Sequence, residues 1–307
     1  AGSNGSGAAG GAMGGRSGGG SGGGAAGAAM GGAAAGGSGG TAAGGTTKGC
    51  GAATWPMSKN DNTIMVNGAS RKYNLKVPAN YDSKKPYRLM FSFHWLNGTA
   101  KDVSGGSGTA KAWYGLSDLS QDSIIFVAPQ GINNGWSDAG HSNSKGGDDI
   151  NFTKTLLTQI EDSFCIDTTR VFAEGFSMGG SMSYAVACAL GDQFRAVAVH
   201  SGGPMTGCVT PHTKPVAYFM THGTKDSVCT YPGYGVPQLQ DFAKLNGCMT
   251  ATLPTPTSSA SACVDFTGCS ASYPTRSCLF VGDHTPSPGG TASSWVPAET
   301  WKFINQF

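Results

Sequence analysis

Charge is scarce in this sequence. Asp, Glu, Lys and Arg make up 12% of its 307 residues and nearly cancel, leaving a formal net charge of +2 at pH 7. Basic residues do not cluster beyond pairs such as Lys84-Lys85, so the chain lacks the cationic patch that holds nucleic acid or an anionic membrane surface. Long apolar runs are missing too: nothing approaches the roughly 18 to 20 apolar residues of a membrane span. Neither an initiator Met nor a signal-like apolar core stands at the start, which reads as a soluble, processed chain. Nine cysteines are present, at 50, 165, 188, 208, 229, 248, 263, 269 and 278, yet no C-x-x-C pair occurs. That dispersion excludes a zinc ribbon and predicts disulfides in an oxidising compartment, with one thiol left over.

The first 48 residues lack more. They are almost entirely Gly, Ala, Ser and Thr, without an aromatic residue or a proline, and Arg16 and Lys48 are their only charges. Such a segment cannot bury enough apolar surface to offset the entropy of ordering it. Residues 1–48 are therefore expected to be a disordered tail or linker; a glycine-rich matrix-binding repeat would need a fixed period, and none is visible. Residues 49–307 have ordinary globular content, of a size common for one α/β domain. Glycosylation acceptors of the Asn-x-Ser/Thr type fall at Asn4, Asn97 and Asn151, in keeping with a secreted glycoprotein.

What is there is an alternation of strand and helix patterns. "RKYNLKV" (71–77) alternates polar and apolar residues like a half-buried strand. "YRLMFSFHW" (87–95), "SIIFVAPQG" (123–131), "RVFAEG", "RAVAVHSG", "PVAYFMTHG" and "RSCLFVG" are dense apolar runs ending in polar or glycine residues, as in a parallel sheet covered on both faces. Between them "WYGLSDLSQD", "DDINFTKTLLTQIEDSF" (148–164), "SMGGSMSYAVACAL", "YGVPQLQDFAKLNG" and "PAETWKFINQF" predict helices; Asp148 and Asp149 open one of them, and Pro297 lies near the first turn of the last. The fold predicted is α/β, with a mostly parallel central sheet and helices on both faces. Chemistry in such a sheet gathers on loops at the carboxyl ends of the strands.

The hexapeptide "GFSMGG" (175–180) sits at such an end. A serine on a strained strand-to-helix turn needs small neighbours, because strand and helix approach closely there, and Gly175, Gly179, Gly180 and Ser181 supply them. The alternative is a glycine turn whose serine only caps a helix. A nucleophilic hydroxyl also needs a base and an acid to orient that base. Asp226 follows the strand "PVAYFMTHG" and His284 follows the last strand, giving the order Ser, acid, His of an α/β-hydrolase. Taken alone, Asp226 reads as a turn former. His141 and His212 lie in polar loops, whereas His94, His200 and His222 end apolar strands and read as hydrogen-bonded supports. Cys188, amid apolar helix residues, reads as a disulfide or a buried thiol.

The oxyanion of acyl transfer requires two donors. The sequence offers the backbone N–H of Met178 and, from "HWLNGT" after an earlier strand, that of Leu96, with Trp95 as the alternative. A glycan on neighbouring Asn97 would crowd the site, so this acceptor is expected to be unused. Trp95, Gln130 and Trp136 are the candidate substrate contacts, each with a packing role as the competing reading. No metal and no organic cofactor is needed for this chemistry.

With "HWLNGT", "WYGL", "VAPQG", "NNGW", "GFSMGGSMSYAVACA", "RAVAVHSG", "HGTKDSV", "GCSA" and "HTPSP" in consistent order, residues 49–307 resemble the secreted fungal feruloyl esterases of the first carbohydrate-esterase family. Relatives of that family include acetylxylan esterases and polyhydroxybutyrate-depolymerase-like enzymes. The resemblance implies an α/β-hydrolase, extracellular and monomeric, that cleaves hydroxycinnamate esters of arabinoxylan or pectin, with Ser177, Asp226 and His284 on the family's catalytic motifs. It implies departures as well. Leu96 and Asn97 stand where Arg-Gly is usual, and Asp283 replaces a glycine before the histidine, which puts a carboxylate beside the base. Cys229, Cys263 and Cys278 are additional, which suggests an extra disulfide. Two rival readings are an esterase of the same mechanism acting on acetylxylan or a polyhydroxyalkanoate, and a non-catalytic wall-binding protein with a damaged triad.

Overall fold

The computed structural model describes residues 45–137, 148–205 and 214–307. Most of the glycine-rich segment, Asn4, His141 and His212 therefore lie outside the described residues. Residues 45–48, assigned to the tail from composition, pack on the domain. Thr46 bridges Asp167, the Thr47 hydroxyl donates to the Phe164 carbonyl, and Lys48 pairs with Asp162 at 3.0 Å.

Nine strands form one sheet: β1 (Lys59–Val66), β2 (Ala69–Lys76), β3 (Tyr87–Phe93), β4 (Ile124–Pro129), β5 (Ile166–Phe176), β6 (Ala196–His200), β7 (Ala217–Gly223), β8 (Ala262–Asp265) and β9 (Thr275–Phe280). The order is β1-β2-β4-β3-β5-β6-β7-β9-β8. Neighbours from β4 to β9 are parallel, and both edges are antiparallel. The parallel strands β4, β6, β7 and β9 are buried at every position, which is why they read as unbroken apolar runs.

Helices α1 (Ala100–Gly105), α2 (Leu116–Leu119), α3 (Asp148–Ser163), α4 (Met178–Ala189), α5 (Val236–Leu245) and α6 (Val296–Ile304) cover the sheet. One core joins Leu89, Phe91 and Val127 to Phe152 and Leu156 of α3, Met182 of α4 and Phe242 of α5. The other joins Met90, Phe126 and Phe219 to Val103, Leu116 and Phe303 of α1, α2 and α6. Burying these side chains is the main stabilising term, about 1.5–3 kcal/mol for each large one.

The two edge strands β1 and β8 escape the sequence pattern. β1 is mostly exposed and carries too little apolar pattern to stand out. Its legible signal is the turn that follows: Asn67 (φ 51°) and Gly68 (φ 82°) join it to β2 through a two-residue hairpin loop. β8 has only four residues and is stapled to β9 by the Cys263–Cys278 disulfide. Cys50–Cys165 and Cys248–Cys269 are also bridged, Cys188 is disulfide-bonded, and Cys229 is the free thiol among the described residues. Cys263, Cys278 and Glu299 form the one cluster of described residues with metal-ligand spacing, and its two sulfurs are consumed by their disulfide. No helix among the described residues is long and apolar enough to cross a membrane.

Candidate active site

β5 ends at Phe176 and α4 begins at Met178, so Ser177 is the single residue between them. Its backbone has φ 55° and ψ −123°, a conformation costing on the order of 1–3 kcal/mol for a residue with a side chain. The surroundings enforce it. A Cβ on Gly175 would lie 2.4 Å from the Gly179 carbonyl carbon, and one on Gly179 would lie 2.2 Å from the Phe93 carbonyl oxygen. Only glycine at both places lets strand and helix come this close, and Ser177 N–H then reaches the His200 carbonyl at 2.9 Å.

Ser177 Oγ lies 2.8 Å from His284 Nε2, and His284 Nδ1 lies 2.8 Å from Asp226 Oδ2. The three residues come from the loops after β5, β9 and β7. Those last two loops are laced together: Thr224 N–H donates to the Phe280 carbonyl, Lys225 N–H to the Gly282 carbonyl, and a Cβ on Gly223 would lie 2.5 Å from the Gly282 oxygen. Phe176 lies under the His284 ring, centroids 4.7 Å apart. Burial opposes ionisation of Asp226, whose side chain is fully enclosed. Hydrogen bonds from His222 and His284, the charge of His284 and the Cys229 N–H outweigh it and hold the carboxyl well below the usual range. Its Oδ1 accepts from Val228 N–H and Cys229 N–H, so the carboxylate stays ionised as a partner for an imidazolium.

Asp283 does not turn toward the imidazole. Its Oδ1 accepts from Ser227 N–H, the Ser227 hydroxyl and the His284 N–H, which lower its own pKa and clasp the acid loop to the base loop.

On the other side of Ser177 lies the loop after β3. Met178 N–H belongs to the first turn of α4, where no intrahelical acceptor exists. The Leu96 side chain is 53% exposed, and Leu96 Cδ1 and Met178 Sδ meet at the same point against Gly135, 3.5 and 3.6 Å from where a Cβ would be. The side chains of the two expected donor residues thus meet beside Gly135. Asn97 N–H donates to the Asn134 carbonyl, and Asn97 takes a left-handed φ of 64°. Thr99 and Asp102 close a capping box on α1.

Two of the three expected substrate contacts have other work. Trp136 is 1% exposed; its Nε1 donates to the His94 carbonyl at 2.7 Å and its ring packs edge-on against Phe93. Gln130 accepts from Ala100 N–H and donates to the Gly131 carbonyl and to Asn134 Oδ1. Both brace the loop. Their places at strand ends looked the same in sequence as those of ligand contacts, because burial is not legible from position. Trp95 remains half-buried beside Phe176, centroids 6.3 Å apart.

His94 is the support that sequence named only in outline. Fully buried, it donates through Nδ1 to the Trp95 carbonyl and accepts at Nε2 from Gly131 N–H, joining the loops after β3 and β4. Burial lowers its pKa to about 4, with the Trp95 carbonyl and Asp102 acting against burial. Beneath the second loop Arg71 pairs with Asp149 at 2.6 Å, both buried, and Asp149 Oδ2 accepts from Ser137 N–H. The aspartate read as a helix-dipole residue is thus also half of a buried ion pair. Under the serine, Glu174 accepts from the Ser92 hydroxyl, and complete burial pushes its pKa up to about 8.

A sequence profile of the family described as "Putative esterase" matches residues 65–227, more than half of the chain. Curated relatives are closer still. A "Probable feruloyl esterase C" of Aspergillus clavatus is 40% identical over 260 residues, covering 84% of this chain and 90% of that protein. The chain belongs to this esterase family. It is a carboxylic ester hydrolase. "Feruloyl esterase D" of Neurospora crassa is 36% identical and covers 85% of this chain and 90% of its own length. Among solved structures, an acetyl xylan esterase from Aspergillus awamori has TM-score 0.59 at 16% identity, covering 80% of this chain and 99% of its own, a likeness of fold.

Proposed function

We propose that this esterase is a secreted feruloyl esterase that releases ferulic and related hydroxycinnamic acids from plant cell-wall polysaccharides such as feruloylated arabinoxylan or pectin. The hydrogen-bonded chain Ser177–His284–Asp226 on a strained serine turn carries the reading. His284 takes the Ser177 proton as Oγ attacks the ester carbonyl, and Asp226 holds the imidazole in the required tautomer. The N–H groups of Met178 and Leu96 receive the oxyanion. The intermediate collapses to an acyl-enzyme as the sugar alcohol leaves with the proton from His284. Water then repeats the sequence, freeing the acid and restoring Ser177.

The names of the curated relatives support the feruloyl group. So do exposed apolar side chains at the strand ends: Leu96, Ile132, Val228 and Tyr234 stand on the segments that follow β3, β4 and β7. An aromatic acyl chain would cover such surface; an acetyl group would not. Disulfides support an oxidising destination. The test compares ferulate release from methyl ferulate with hydrolysis of 4-nitrophenyl acetate, in the wild type and in Ser177→Ala. The reading expects ferulate release that disappears in the variant. Hydrolysis of the acetate alone would replace it with an acetylxylan or other short-acyl esterase.

A further inference from the structure

The mechanism gives no role to His222, the penultimate residue of β7. Its ring is fully buried, yet it lies directly under the acid loop. Nε2 is 2.6 Å from the Cys229 carbonyl oxygen and 3.4 Å from Asp226 Oδ2. Both neighbours are acceptors, since the carboxylate is ionised, so Nε2 carries a hydrogen, which goes to the Cys229 carbonyl while the ring edge lies against the carboxylate. The seat is tight: a Cβ on Gly235 would fall 2.8 Å from Nδ1, and the Tyr231 ring packs 5.5 Å away.

These contacts form a closed figure. Asp226 Oδ1 takes the N–H groups of Val228 and Cys229, which shapes the turn but does not place it against the sheet. Backbone bonds from Thr224 and Lys225 hold only the beginning of the loop. Cys229 closes its far end by giving its carbonyl to His222, a residue fixed in the fully buried strand β7. One ring thus grips both the carboxylate and the end of the turn that carries it.

We propose that His222 is a positioning residue whose ring fixes the Asp226 carboxylate, and through it the His284 imidazole over Ser177. This rests on the proposed reading of Asp226 as the triad acid. Tilting the carboxylate misaligns the base without touching the substrate, so the loss falls on kcat and leaves KM alone. It also predicts that glycine at 235 serves the ring's seat, since its φ of −66° would suit any residue.

The test is steady-state kinetics on methyl ferulate for His222→Leu, His222→Gln and Gly235→Ala, with Asp226→Asn alone and combined with His222→Leu. His222→Leu should lower kcat by about 10- to 100-fold with KM little changed. His222→Gln, whose amide can reach the Nε2 position, should recover most of that loss, and Gly235→Ala should reproduce part of it. In the Asp226→Asn background His222→Leu should cost nothing further. Full turnover by Asp226→Asn would overturn the triad reading itself. A crippled Asp226→Asn, with His222→Leu costing the same factor in both backgrounds, would overturn the role of His222 alone. Should His222→Leu fail to fold, Gln and Gly235→Ala decide: wild-type kcat in Gly235→Ala, or no better kcat in Gln than in Gly235→Ala, overturns the proposal.

Discussion

Two halves of the site flank Ser177 in the sheet, and they are held in opposite ways. On the β3 and β4 side the proposed functional atom is the backbone N–H of Leu96, in a loop held by the side chains of His94, Trp136 and Gln130 and, deeper, by the Arg71–Asp149 pair. On the β7 and β9 side the proposed functional atoms are the side chains of Asp226 and His284, held by interlaced loop backbone and turn amides together with the exposed Asp283 clasp and the buried His222 ring. On the proposed reading the backbone donor is held by side chains, whereas the catalytic side chains are held mostly by backbone, with His222 and Asp283 added.

Substitutions that break one half without the other test this contrast. The largest loss is expected from Ser177→Ala, which both halves serve: kcat/KM should fall by at least ~10⁴-fold while thermal unfolding stays close to wild type. Asp226→Asn should come next, near 10⁴-fold on kcat with the fold intact, since the amide favours the wrong imidazole tautomer. On the other side His94→Leu strips Gly131 N–H of its acceptor and frees the oxyanion loop. About 10²-fold lower kcat is expected, together with a loss of about 1–3 kcal/mol in urea unfolding, because here positioning and stability share one residue.

A pH series sharpens the same contrast. His94 titrates near 4 in the folded protein and near 6.5 when unfolded, so the unfolded chain binds the extra proton. Its contribution is therefore whole above about pH 6.5 and declines as pH falls toward 4. His200, lowered to about 3 by burial, acts with the same sign. Glu174, raised to about 8, acts oppositely, its native protonation losing value as pH rises from 4.5 to 8. The informative quantity is the difference between wild type and His94→Leu, which should shrink from pH 7 to pH 4.5; a constant gap would remove His94 from the account. Smallest of all should be Asp283→Asn, a few-fold drop in kcat, because its clasp is exposed to water and two other backbone bonds span the same loops.

The same division explains what the sequence could disclose. Ser177, Asp226 and His284 are legible as candidates because each follows an apolar strand, in a fixed order, and Ser177 stands among glycines. Met178 and Leu96 could be named only by their distance from those motifs, since every residue but proline has an N–H. Strand-end position does not reveal that Trp136 is buried or that the Gln130 amide is spent on contacts within the loops. His222 was read as a support, but its partner was not predictable, because Cys229 reaches it only when the acid loop folds back on β7. In the fold, strands buried on both faces were plain, whereas β1 and β8 at the edges pack too little apolar surface to leave a pattern. Asn67-Gly68, the turn between β1 and β2, is the sign of β1 that the sequence carries.

The most direct test of the central claim is active-site labelling. Incubation with a fluorophosphonate, followed by digestion and mass spectrometry, should place one phosphonyl group per chain on Ser177. Turnover of methyl ferulate should be lost in step with labelling, and no label should appear on Ser177→Ala or His284→Ala. Label on another residue, or full turnover by a chain labelled at Ser177, would contradict the account.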